Sequence, residues 1–272
     1  MQKIAILIKQ NFGVSVLRFL ILTLFSFCFF TSTSLYAQQQ DNTKPLRVAV
    51  AANFTPVLKV LLQDFTLQTG IKTQIISGAS GAMFLQIKHG APFDIFLSAD
   101  SRRPKELELS GYVLTNSRKT YATGQLALYS STLTSLEQLV DNLQKKPPQL
   151  FAIANPDIAP YGKAAREALT HLGVWKAQQN KLIKGINIGQ TFSQIRTNAV
   201  SSGIVANSQL VLNNLSGVII PSSYHQPIEQ QLVILKASKQ QNSAKKLSEF
   251  LLLAKQQQII VSYGYAPSPQ VK

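Results

Sequence analysis

From residue 46 onward the chain alternates short apolar runs with stretches whose apolar residues recur at helical spacing. The first run and the first stretch meet at one junction. Val48-Ala49-Val50-Ala51-Ala52 has the pattern of a buried strand, and Phe54, Val57, Leu58, Leu61, Leu62 and Phe65 keep the i, i+3, i+4, i+7 rhythm of one helix face. Asn53 stands between them as the expected N-cap, Pro56 is tolerated in the first turn, and Gly70 stops the helix. A strand that empties into a helix start offers free backbone N–H groups and the positive end of a helix dipole, both of which favour an anion. An ordinary βα unit whose Asn only caps its helix reads the same way.

Three more junctions repeat the pattern. Lys72 to Ile76 is a strand, Ser77-Gly78-Ala79-Ser80-Gly81-Ala82 a small-residue turn, and Met83 to His89 a short helix. Leu150 to Ala154 leads through the proline-rich turn 155–160 to Tyr161-Gly162, which opens the helix Lys163 to Leu172. Leu182 to Ile186 leads through Asn187-Ile188-Gly189-Gln190 into a helix carrying Phe192, Ile195 and Val200. Around these the pattern predicts strands at 94–97, 203–206, 217–221 and 232–235. It predicts helices at 103–109, from Ser135, at 209–212, one capped by Asn242, and a last one ending near Tyr263. Residues 120–130 read as one long strand, and 221–231 as a polar turn. Such alternation argues for α/β architecture with largely parallel sheets. Two crossing segments, near 121–129 and 221–232, divide the chain into a first lobe, 45–124 plus 226–272, and a second, 125–225.

The start of the chain stands apart. Lys3, Lys9 and Arg18 make a basic n-region, Phe19 to Phe30 an apolar core, and Leu35-Tyr36-Ala37 a cleavage point, which together predict a secretory signal over 1–37 that is removed. The apolar run is shorter than the roughly 20 residues of a membrane span. Cys28, the one cysteine, lacks the preceding small residue of a lipoprotein signal, so a free soluble periplasmic protein is expected. What remains holds no cysteine, which excludes disulfides and thiolate chemistry. It carries 24 basic and all 12 acidic residues, a formal charge of +12. The basic residues are dispersed and not interleaved with aromatics, which argues against nucleic acid. Both a diffuse field that attracts anions and a merely basic surface remain open.

Catalytic chemistry finds little footing. The histidines are three, His89, His171 and His225, and no nucleophile elbow, phosphate loop or dinucleotide fingerprint is present. Histidines and carboxylates do not cluster at metal-ligand spacing. Asp94 and Asp100, two carboxylates flanking a strand, are a weak enzyme signal.

Four segments resemble one known family: Val48-Ala49-Val50-Ala51-Ala52-Asn53-Phe54, Ser77-Gly78-Ala79-Ser80-Gly81, the run Gly90-Ala91-Pro92-Phe93-Asp94-Ile95-Phe96-Leu97-Ser98-Ala99-Asp100, and Asn187-Ile188-Gly189-Gln190-Thr191-Phe192. They are similar to the periplasmic molybdate-binding proteins that feed ABC transporters, over nearly all of 46–267. The resemblance implies a two-lobed type II periplasmic binding fold, each lobe a mostly parallel sheet flanked by helices, closing over one molybdate or tungstate ion. It implies oxyanion-binding positions at Asn53, Ser80, Tyr161 and Ile188, the last two through backbone N–H groups. Molybdenum enters only as molybdate, with no direct protein–metal ligand and no cofactor. The implied partners are a membrane permease and an ATPase, with the protein itself a monomer and not an enzyme. One departure stands out: where some members place a tyrosine hydroxyl, this chain has Ala206, leaving a fifth donor open between Tyr161, Asn207 and none. The alternatives are a binding protein for sulfate or another oxyanion, and a secreted hydrolase on a similar fold. A regulator would need a helix-turn-helix where the signal segment stands.

Overall fold

The computed structural model describes residues 44–145 and 150–267. The expected signal segment and its cleavage point lie outside these residues. The apolar runs assemble into two five-stranded sheets. The first contains β1 (Leu46–Ala51), β2 (Thr73–Gly78), β3 (Ile95–Leu97), β4 (Lys119–Gly124) and β10 (Ile228–Ile234), in the order β2-β1-β3-β10-β4. The second contains β5 (Leu126–Ser130), β6 (Phe151–Ala154), β7 (Ile183–Gly185), β8 (Ser202–Ala206) and β9 (Val218–Ile219), in the order β7-β6-β8-β5-β9.

Both sheets are mixed, yet four of the five strands in each share one direction, as expected of largely parallel sheets. In the first, β1 pairs in parallel with β2 and β3, whereas β10 runs antiparallel to β3 and β4. In the second, β6 pairs in parallel with β7 and β8, whereas β5 runs antiparallel to β8 and β9. The reason is the path of the chain. The reversed strand in each sheet, β10 or β5, is the one by which the chain arrives from the other sheet, and it must run against the strands that deliver the chain to the helix starts. The expected single strand over 120–130 is accordingly two strands in different sheets, parted at Gln125.

The helices are α1 (Thr55–Thr69), α2 (Ser80–Lys88), α3 (Arg102–Leu109), α4 (Leu136–Gln144), α5 (Pro160–His171), α6 (Trp175–Gln178), α7 (Ile188–Arg196), α8 (Asn207–Leu212), α9 (Gln241–Leu252) and α10 (Ala254–Ser262). The stripe Val57, Leu58, Leu61, Leu62 and Phe65 of α1 is buried, each side chain contributing about 1.5–3 kcal/mol relative to exposure. Phe65 meets Phe250 of α9 with ring centroids 5.3 Å apart. The helix ends at Gly70, whose φ of 70° places it in the left-handed region and lets its N–H reach Thr66 O at 2.9 Å.

Two expected caps are corrected. The N-cap of α1 is Phe54, without a side-chain bond, because the Asn53 amide is engaged elsewhere. Asn242 lies inside α9, whose N-cap is Gln240. Strand β10 also begins four residues before the expected 232, since the polar side chains of Gln230 and Gln231 find buried partners.

Residues from Pro45 onward form one compact unit. Ala51, Ala99 and Ile228, from around the first sheet, share a buried cluster with Leu126, Ile153, Tyr161, Ile188 and Ala206 from the second, so the apolar core continues from one sheet to the other. Among the described residues no helix is long and apolar enough to cross a membrane.

Candidate functional site

The strand-to-helix junctions open into one cavity. It is tight, with a volume of about 10 Å³, and its lining includes Ala52, Asn53, Ala79, Ser80, Ala99, Pro160, Tyr161, Asn187 and Ile188. All four residues singled out from the sequence, Asn53, Ser80, Tyr161 and Ile188, are among them. They follow β1, β2, β6 and β7, two junctions from each sheet. No lining residue is charged.

Each junction presents hydrogen-bond donors for a local reason. Ser80 and Ile188 are the first residues of α2 and α7, and Tyr161 is the second of α5. Backbone N–H groups in a helix's first turn have no intrahelical acceptor. No acceptor among the described residues takes those of Ser80, Tyr161 or Ile188. Asn187 caps α7 by accepting from Gln190 N at 2.9 Å, which holds that helix start in place. The Ser80 hydroxyl accepts from Ala99 N at 2.9 Å, so its own proton is left for another acceptor. Across the cavity mouth, Gly81 N donates to Ile158 O at 2.9 Å. A Cβ at Gly81 would stand 2.7 Å from that oxygen, so only glycine permits this approach of α2 to the residues before α5.

Behind Asn53 lies a buried polar network. Asn53 Nδ2 donates to Gln230 Oε1 at 2.9 Å and to Tyr265 Oη at 3.2 Å, and Tyr265 Oη donates to Asn53 O at 3.0 Å. Gln230 Oε1 also accepts from Tyr121 Oη at 3.0 Å, while Gln230 Nε2 donates to Tyr161 Oη at 3.2 Å. Burial pushes all three phenols above the usual tyrosine range, so each keeps its proton at neutral pH. The amide oxygen of Asn53 is buried without a partner.

A wider cleft of about 430 Å³ adjoins this cavity at Ala99, Ala159 and Pro160. Its lining carries both signs: Arg102, Arg103 and Lys163 against Asp100, Asp157, Glu167 and Glu229. Arg103 is buried and ion-paired with Asp100, and Lys163 pairs with Glu167 at 3.6 Å. Burial lowers the Arg103 pKa, and Asp100 beside it works against that shift. With Arg103 and Lys163 already paired and four carboxylates in its lining, this cleft suits an entrance better than a seat for an anion.

Ala206 is buried at the end of β8, and its N–H donates to Gln209 Oε1 at 3.0 Å. Gln209 Nε2 continues to Ile188 O at 3.0 Å, so Gln209 braces the start of α7. Asn207, one candidate for the open fifth donor, turns its amide to Gln125 Oε1 and Gly264 O and does not line the cavity. None of the three histidines lines it either. Among the described residues, no three His, Cys, Asp or Glu side chains are grouped to hold a metal ion. Sequence reasoning missed Gln230, Tyr121, Tyr265 and Gln209. The one available signal was a pair of glutamines, Gln230-Gln231, amid residues that alternate with Ile228 and Leu232.

Residues 46–266 match the family model described as bacterial extracellular solute-binding protein. The molybdate-binding protein ModA of Azotobacter vinelandii is 38% identical over 224 residues, 81% of this chain and 89% of the relative. ModA of Rhodobacter capsulatus is 38% identical over 218 residues, 80% and 86% of the two chains. Among solved structures, the periplasmic molybdate-binding protein of Azotobacter vinelandii matches with a TM-score of 0.77 at 34% identity, covering 82% of this chain and 99% of that one.

Proposed function

Because the chain belongs to the family of bacterial extracellular solute-binding proteins, we propose that it captures molybdate or tungstate in the cavity between its sheets and delivers it to an ABC permease and its ATPase. Like the relatives it matches, it is a binding protein and not an enzyme. The observation that supports the ligand assignment is the convergence of four strand-to-helix junctions on one uncharged cavity. In this proposal a dianion is held by neutral donors: the N–H groups of Ser80, Tyr161 and Ile188, the Ser80 hydroxyl and Asn53 Nδ2, which requires the Asn53 amide to present its nitrogen where the unpartnered oxygen now stands. Each charge-assisted bond contributes about 1.5–3 kcal/mol, and exclusion of water strengthens all of them. No cofactor and no direct molybdenum–protein bond is needed.

In this reading the protein works in the periplasm as a monomer. Its lobes, 45–124 with 226–272 and 125–225, close about the crossings near 121–129 and 221–232, and the Gly81–Ile158 hydrogen bond belongs to the closed state. A shell of donors alone refuses hydrogen phosphate, whose proton would lack an acceptor. Sulfate presents the same pattern as molybdate, so cavity size must separate the two. Calorimetric titration of the purified protein with molybdate, tungstate, sulfate and phosphate tests the proposal. Tight binding of the two metal oxyanions is expected, and tight sulfate binding without molybdate binding would overturn it.

A further inference from the structure

The orphaned oxygen of Asn53 points to a role for Gln230. Asn53 is 1% exposed and Gln230 fully buried, so neither amide exchanges partners with bulk water. As arranged, the network has three defects. Asn53 Oδ1 has no partner, the Tyr161 hydroxyl proton has no acceptor among the described residues, and the single proton of Tyr121 is divided between Gln230 Oε1 and Ser98 O at 3.1 Å. A half-turn of both amides removes all three, because the oxygen and nitrogen of an amide fill nearly the same space, and leaves one in exchange: the Tyr265 proton is then shared between Asn53 O and Asn53 Oδ1. Tyr161 then donates to Gln230 Oε1, and Gln230 Nε2 donates to Asn53 Oδ1 and Tyr121 Oη. Tyr121 gives its proton wholly to Ser98 O, and Asn53 Nδ2 takes the place of the orphaned oxygen. Asn53 lines the cavity while Gln230 and Tyr265 do not, so the amide edge turned away from them is the one turned toward the ligand.

We propose that Gln230 is a positioning residue for ligand choice: by donating to Asn53 Oδ1 it holds the Asn53 amide nitrogen toward the cavity, which keeps the shell free of acceptors and refuses hydrogen phosphate. The proposal rests on the oxyanion reading of the same cavity and adds the residue that sets its selectivity. With the amides in the opposite sense, Asn53 Oδ1 meets the proton of hydrogen phosphate and repels an oxygen of molybdate. Tyr161 makes the setting depend on both halves of the molecule, since its hydroxyl comes from α5 and Gln230 from β10. Gly124 keeps the meeting point open: a Cβ there would collide with the Tyr161 hydroxyl and come within 3.0 Å of Gln230 Nε2.

The test is the ratio of molybdate to hydrogen phosphate affinity, measured at a pH where phosphate carries two charges. In Gln230→Glu, measured at a pH high enough that the ratio no longer changes with pH and the buried carboxyl is ionised, the carboxylate only accepts, so Asn53 must turn its nitrogen inward and its oxygen to the cavity. The new charge repels both dianions alike and cancels in the ratio. The ratio is expected to fall by at least about tenfold, one hydrogen bond's worth. In an Asn53→Ser background, whose hydroxyl rotates freely, the same change should leave the ratio within about threefold. An unchanged ratio in Gln230→Glu, or an equal fall in both backgrounds, overturns the proposal.

If Gln230→Glu does not fold, Gln230→Met removes the donor without a charge, and a fall of about threefold or more is expected, again absent in Asn53→Ser. If Asn53→Ser binds no oxyanion, the side-chain amide resonance of Asn53 decides. It should shift when molybdate is added to the unaltered protein and stay still in the Gln230 variant, and a resonance that never moves overturns the proposal. An unaltered protein that binds no oxyanion removes the oxyanion reading and this one together, whereas one that prefers molybdate regardless of Gln230 removes this one alone.

Discussion

The two walls of the cavity are built differently. The wall from the first sheet adds to the Ser80 N–H two side chains, Asn53 and Ser80, each braced by groups distant in sequence: Gln230 and Tyr265 behind Asn53, and Ala99 N behind Ser80. The wall from the second sheet uses main chain. Tyr161 and Ile188 bury their side chains in the shared core and line the cavity at helix starts, so in the proposed reading it is their N–H groups that meet the ligand. A main-chain donor survives almost any substitution, so the second wall supplies attraction for any anion. A side-chain donor is set by residue type and orientation, so the first wall is where one anion is told from another.

The largest expected effect strikes the first wall. Asn53→Asp removes the amide donors and turns a carboxylate on a dianion, and molybdate affinity should drop by about 2–5 kcal/mol, some thirtyfold to several thousandfold. Titration of the variant beside the unaltered protein checks this, and a loss under about tenfold would show that Asn53 does not face the ligand. Next comes Ser80→Ala, which removes one hydroxyl donor to a charged group and should cost about 1.5–3 kcal/mol of binding.

The matching experiment on the second wall must remove an N–H rather than a side chain. Ile188 is the first residue of α7, and the preceding Asn187 has φ −154° and ψ 172°, an extended conformation that accepts a following proline. Ile188→Pro should therefore keep the fold while lowering affinity by about tenfold or more, the worth of one bond to an anion. Ile188→Val, which keeps the N–H, should leave affinity within about threefold at a stability cost of about 0.5–1.5 kcal/mol. Equal losses in the two variants would mean that the second wall also works through its side chain.

The contrast between the walls also marks what the sequence could disclose. The four junctions were readable because at each one an apolar run stops and a helical period begins within a few residues, and helix-start N–H groups are a local property. The carboxylates of the Gly90 to Asp100 run were readable as structural. Asp94 accepts from Arg47 N at 2.7 Å and from Ser238 Oγ at 2.5 Å, and Asp100 accepts from Arg103 N at 3.1 Å at the start of α3. The brace behind Asn53 was not readable. Gln230 lies 177 positions away, in a segment whose Glu229-Gln230-Gln231 looks like a turn because nothing local shows that glutamine amides will be satisfied in a core. For the same reason Asn53 was misread as a cap: its local propensity lost to partners that only the tertiary fold supplies.

The buried phenols, Tyr121 and Tyr265 behind the first wall and Tyr161 from the second, set a pH limit on the fold. Burial raises the pKa values of Tyr121 and Tyr265 above the ordinary phenol value near 10. As pH rises past that value the unfolded chain releases these protons first, while the folded one keeps them. The unfolded state then binds fewer protons, and stability falls with pH. Stability should accordingly be whole below about pH 10 and decline above it, on the order of 1 kcal/mol per buried phenol per pH unit. Tyr265→Phe removes one of these phenols along with its hydrogen bond to Asn53 O, so its stability should be lower at neutral pH but decline less steeply in alkali. Urea unfolding midpoints taken at steps between about pH 8 and 12 give both quantities. Ile188→Val, which touches no ionisable group, should shift the curve without changing its slope. Parallel curves for Tyr265→Phe and the unaltered protein would mean that the phenol behind Asn53 is not held in its neutral form by the fold.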